Sequence, residues 1–103
     1  MKLFIDTSDS EKIIVGFDDK KFETNARQEK AQRLLPFIDE LMQKHNKKFK
    51  DITEIKVNTG PGSFTGLRVG VSVANALGWA LGVPVNGKDL RNGEVVEIKY
   101  EVK

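Results

Sequence analysis

The sequence predicts a mixed α/β domain in the order βββ-α-β-α-β-β, with helices covering at least one face of the sheet. Three observations carry this. Short apolar runs broken by polar turns open the chain. A stripe of helical period follows, and then an almost wholly apolar helix leaves a glycine-rich loop. At 103 residues the chain fits one modest core and not two.

Lys2-Leu3-Phe4-Ile5 reads as a buried strand that stops at the polar run Asp6 to Ser10. Lys12 to Phe17 and Lys21 to Thr24 are the next two strands, turned by Asp18-Asp19 into an antiparallel meander. The period then changes. Ala31, Leu34, Leu35, Ile38, Leu41 and Met42 fall on one helix face, with Pro36 inside the pattern. Proline there predicts a kink, or two shorter helices meeting at Leu35-Pro36. A strand near Glu54–Asn58 leads into Gly60-Pro61-Gly62, and Ser63 is a suitable N-cap for a helix from Phe64 to Leu81.

That second helix is apolar on nearly every side and must be covered by protein or lipid. Arg68, Ser72, Asn75 and several glycines argue for protein rather than a membrane span. Gly66, Gly70, Ala74, Gly78 and Gly82 recur every fourth residue. Each helical glycine costs about 0.5–1 kcal/mol relative to alanine, so the repeat predicts a close approach by another helix or by a sheet. Trp79 reads first as core. Gly82-Val83-Pro84 ends the helix, and Val83-Pro84-Val85 begins another strand. Asn92-Gly93 predicts a hairpin, after which Val96, Ile98, Tyr100 and Val102 alternate with charges as a half-buried strand.

Composition narrows the chemistry. Seventeen basic and fifteen acidic residues leave +2, which gives no general electrostatic grip on nucleic acid. The absence of cysteine excludes disulfides, thiolate metal sites and cysteine nucleophiles, and suits a reducing, cytoplasmic setting. His45, the sole histidine, has no partner at metal-ligand spacing. Lys44, Lys47, Lys48 and Lys50 read as a solvated loop. Asp6, Thr7 and Ser8 offer a carboxylate and two hydroxyls to a phosphate, although an ordinary polar turn uses the same residues. Gly60 to Gly66 has the outline of a phosphate loop but lacks the terminal Gly-Lys-[Ser/Thr].

The string Asn58-Thr59-Gly60-Pro61-Gly62-Ser63-Phe64-Thr65-Gly66-Leu67-Arg68-Val69-Gly70-Val71 closely resembles the TsaB family, also called YeaZ. The resemblance continues through Ala74, Ala76-Leu77-Gly78 and Ala80 to Val85. It is supported by Ile5-Asp6-Thr7-Ser8 and by Arg33 to Leu41. It covers about Met1 to Val85. Lys30 departs from it, standing where family members often carry histidine.

The resemblance implies a single lobe of the actin-like, Hsp70-like ATPase superfamily over 1–85; residues 86–103 depart from it and read as a hairpin closure where family members carry a second lobe. It implies a role in the threonylcarbamoyladenosine (t6A) modification of tRNA, as a noncatalytic scaffold. The implied partner is a TsaD-like protein, with TsaE as the associated ATPase, a second copy as an alternative partner, and tRNA contact indirect at most. No cofactor, metal or membrane is implied. Pairing would run through the two helices, placing Leu34, Leu35, Ile38, Leu41, Met42, Leu67, Gly70, Val71, Ala74, Asn75 and Gly78 at the partner interface. Two alternatives stand beside it. One is a small nucleotide-binding, kinase-like fragment using Asp6, Thr7 and Ser8, and the other is a stand-alone homodimeric interaction module.

Overall fold

The computed structural model describes residues 1–26 and 29–99. Three strands open the chain: β1 (Lys2–Asp6), β2 (Lys12–Phe17) and β3 (Lys20–Asn25). Helix α1 (Lys30–Lys44), strand β4 (Glu54–Val57) and helix α2 (Phe64–Leu81) follow. The sheet order is β3-β2-β1-β4, antiparallel through the meander and parallel between β1 and β4. Mixed pairing of this kind needs a crossover between β3 and β4, and α1 supplies it.

Alternation decides which face is covered. Leu3, Ile5, Ile13, Val15, Ile55 and Val57 point to one side and are buried. Against them α1 places Leu34, Ile38 and Met42, and α2 places Val71 and Ala74. Each wholly buried Leu or Ile contributes about 1.5–3 kcal/mol of transfer free energy. Pro36 does not split α1. It lies on the exposed side of one continuous fifteen-residue helix, so the carbonyl it leaves without an amide partner meets water.

Helix α2 starts as its sequence predicts. The Ser63 hydroxyl accepts the Gly66 amide at 3.3 Å. Gly82 ends the helix in the left-handed region, φ 69°.

The region after α2 differs from expectation. The strand expected at Val83–Val85 is reduced to a single parallel bridge between Val85 and Ile55. Asn86 extends it with a side chain: its Nδ2 donates to the Val57 carbonyl at 3.0 Å, and its Oδ1 accepts the Val57 amide at 2.9 Å. The hairpin expected at Asn92-Gly93 is absent. Asp89 caps a 3-10 turn, Leu90–Asn92, and Gly93 ends it at φ 87°. Residues 94–99 run without strand pairing, and the expected strand's Tyr100 and Val102 lie outside the described residues. Hairpin chemistry loses here because Leu90 is drawn into a buried contact beside Gly78 of α2. The extended segment is then held to α2 by Asn75, whose side chain donates to the Val96 carbonyl at 3.0 Å and accepts the Val96 amide at 3.2 Å. No described helix is long and apolar enough to cross a membrane.

Candidate functional site

The first candidate is the turn after β1, and its groups are spent internally. Asp6 Oδ1 accepts from the Ser8 amide at 2.9 Å, the Ser8 hydroxyl at 2.6 Å and Asn58 Nδ2 at 3.2 Å. The Thr7 hydroxyl donates to the Gly66 carbonyl at 2.6 Å and is wholly buried. A phosphate needs donors, and both hydroxyl protons and the Ser8 amide already have acceptors. The glycine loop also closes on the turn, since a Cβ added at Gly62 would stand 2.5 Å from that of Ser8. Of the two readings open for Asp6, Thr7 and Ser8, their hydrogen bonds fit the polar turn, which forms an internal junction between β1, the loop and α2. Lys30 seals the same junction. Its buried ammonium donates to the Thr7 carbonyl at 3.3 Å and to the Asp9 carbonyl. Among the described residues no group of acidic, histidine or cysteine side chains is arranged to hold a metal ion.

The second candidate is the pair of helices. Nine of the eleven residues expected to face a partner are interior: Leu34, Ile38, Leu41, Met42, Leu67, Gly70, Val71, Ala74 and Gly78. They form the inner face, packed on the chain's own sheet. The glycine stripe does mark a close approach, but the approaching groups belong to this chain. A side chain at Gly66 or Gly70 would run into Thr7, and one at Gly78 into Val85. Asn75 is engaged with Val96. Of the eleven, Leu35, 45% exposed, is the one open on the outer surface.

That outer surface is the site the fold presents. In α2, Thr65, Arg68, Ser72, Ala76 and Ala80 are exposed on the side away from the buried stripe, with Val69 and Val73 half-buried at its edge against the core. A shallow groove between the helices is lined by Ala31 of α1 and by Thr65, Val69, Ser72 and Val73 of α2, with Arg68 at its rim. Trp79, expected in the core, is 62% exposed at the far end. The Arg91 guanidinium lies 5.9 Å from its ring centre and donates to the Trp79 and Ala80 carbonyls. Over most of this strip the side chains are small or apolar and uncharged, which water solvates poorly. Sequence periodicity held the clue. Once the small-residue stripe of α2 is assigned to the sheet, the opposite arc must be the free one.

The profile of the family described as TsaD, tRNA N6-adenosine threonylcarbamoyltransferase, matches residues 24–87. The tRNA threonylcarbamoyladenosine biosynthesis protein TsaB of Bacillus subtilis is 33% identical over 63 residues, 61% of this chain and 28% of that protein. The Escherichia coli protein of the same name is 34% identical over 59 residues, 57% of this chain and 26% of that protein. The chain thus spans little more than a quarter of the length of these relatives. Among solved structures, a Pseudomonas aeruginosa protein described as similar to peptidase YEAZ superposes with a TM-score of 0.71 at 29% identity. It covers 82% of this chain and 40% of that one. YeaZ from Pseudomonas aeruginosa superposes at 0.68 with 30% identity, over 82% of this chain and 41% of its own.

Proposed function

The chain belongs to the tRNA N6-adenosine threonylcarbamoyltransferase (TsaD) family through residues 24–87, and over part of its length to the TsaB/YeaZ family; on that premise we propose that it is a noncatalytic scaffold that pairs with a TsaD-like protein in cytoplasmic t6A modification of tRNA. The observation that carries the reading is the outer strip of α2, small or apolar apart from Arg68, with Leu35 exposed on α1. Eighteen residues give α2 a length of about 27 Å. Two helices of a partner laid against this strip and the α1–α2 groove would form a small-residue helical bundle.

The reading as a nucleotide-binding fragment finds no support in the turn after β1, where the donors are occupied. Pairing with a second copy would use the same strip, so it is an outcome of the test.

The test mixes the purified chain with a TsaD-like protein and measures mass in solution by analytical ultracentrifugation. A complex at micromolar concentration, lost in Val73→Arg, supports the reading. A chain that stays monomeric beside that protein overturns it, and a chain that only self-associates replaces it with the homodimeric module.

A further inference from the structure

The opposite face of the sheet carries no described helix, and its side chains are sorted by row. Strand register places Lys21 of β3, Gly16 of β2, Phe4 of β1 and Lys56 of β4 in one line across the sheet. No carboxylate stands in that line. The Lys21 ammonium lies 4.9 Å from the centre of the Phe4 ring, and Lys56 is the register partner on its other side. Lys99 joins Lys56 and Phe4 in lining the groove beside β4. Carboxylates flank the row: Glu54 lines the same groove as Lys56 and Lys99 and is paired with Lys2, while Asp18 and Asp19 line the groove beside Phe4 and Lys21, Asp18 being paired with Lys47. Glu23 pairs with Lys12, and Asp6 is bound to Ser8 and Asn58. Lys21, Lys56 and Lys99 have no ion pair among the described residues. The net charge of +2 conceals this sorting.

We propose that this row is a contact surface for single-stranded RNA, with Lys21, Lys56 and Lys99 meeting phosphates and Phe4 offering its ring to a base. A basic groove with an aromatic floor is how sequence-tolerant single-strand binding is built. The lysine–ring contact is at an exposed site and weak enough to be exchanged when Lys21 turns to a phosphate. An acidic protein would also be attracted, but protein interfaces are depleted of lysine at their centres and need more apolar area. Here Phe4 and Ile14 are the half-buried apolar side chains available. The proposal stands on the face away from the helices and does not depend on the pairing described above.

The experiment is fluorescence anisotropy of a short labelled single-stranded RNA of mixed sequence, titrated with the full chain at low and at near-physiological salt. Three phosphate contacts predict a log–log salt slope of about −2. Lys56→Glu and Lys21→Glu should each weaken binding about tenfold and flatten the slope. Phe4→Ala should weaken binding and leave the slope unchanged, because stacking releases no ions. Lys44→Glu, on α1, should change nothing. Circular dichroism of each variant separates misfolding from lost contact, and the two surface lysine variants decide the matter if Phe4→Ala unfolds. No anisotropy change at low salt overturns the proposal. So does poly-aspartate binding as tightly as RNA, which would identify an acidic protein as the partner. Retained affinity in both lysine variants overturns it as well.

Discussion

The Thr7 hydroxyl at the end of β1 accepts the backbone amide of Gly70 in α2 at 3.1 Å. It donates to the Gly66 carbonyl at the same time, so one hydroxyl sits between the two partners of a helical i to i−4 pair. Only glycine at both positions lets the strand end come so close. The contact fixes where α2 begins over the sheet and therefore which arc of it faces outward. Thr7→Val keeps the shape and removes the bridge from a fully buried position. We expect a loss of about 1–3 kcal/mol in urea unfolding, the cost of leaving buried polar groups unpaired. An unchanged midpoint would mean that the helix closes its own bond when the hydroxyl is gone.

Stability and partner binding should separate along the two sides of α2. Gly78 has Val85 against it, so Gly78→Leu should destabilise by about 1–3 kcal/mol, the usual cost of overpacking. Ala76 is exposed on the other side, so Ala76→Arg should stay within about 0.5 kcal/mol of the parent. Binding should show the reverse emphasis, with Ala76→Arg losing the TsaD-like partner in sedimentation while its thermal midpoint holds. If Ala76→Arg binds normally, the outer strip is not the interface.

The segment after α2 depends on Asn75. Its amide makes both bonds that a neighbouring strand would make to Val96. Asn75→Ala removes both, and we expect a loss of about 1–3 kcal/mol. The Val96 amide should exchange with solvent markedly faster, while amides of β1 keep their protection. Equal protection of Val96 in parent and variant would show that burial of Leu90 and Val96 holds the segment unaided.

Period and punctuation made most of the architecture readable beforehand. Alternation in Lys2 to Phe17 and the spacing of Leu34, Ile38 and Met42 place the sheet and α1, because burial on one side imposes those periods. Ser63 and Gly82 bracket α2 for reasons of capping alone. What could not be read was the direction of an all-apolar helix. Val71 and Val73 are equally apolar, yet one is buried and the other lies half-buried at the edge of the outward arc, and only the position of β1 distinguishes them. Asn92-Gly93 misled for a similar reason. A hairpin preference is local, while the burial of Leu90 beside Gly78 is a tertiary contact.

Lys30 gives the last test, since two opposed terms decide its sign. Its ammonium is buried and held by two carbonyls, with no ion pair among the described residues. Burying a charge is unfavourable unless hydrogen bonds compensate it. Lys30→Met keeps the stem beside Gly66, removes the desolvation cost and leaves the Thr7 and Asp9 carbonyls without their donor. Hydrogen bonds to a charged group are worth about 1.5–3 kcal/mol each, and two are lost. We therefore expect net destabilisation of about 1–3 kcal/mol in urea unfolding, with faster proteolysis in the turn between β1 and β2. A variant more stable than the parent would mean that desolvation outweighs both bonds, and that Lys30 is kept at this junction for something other than stability.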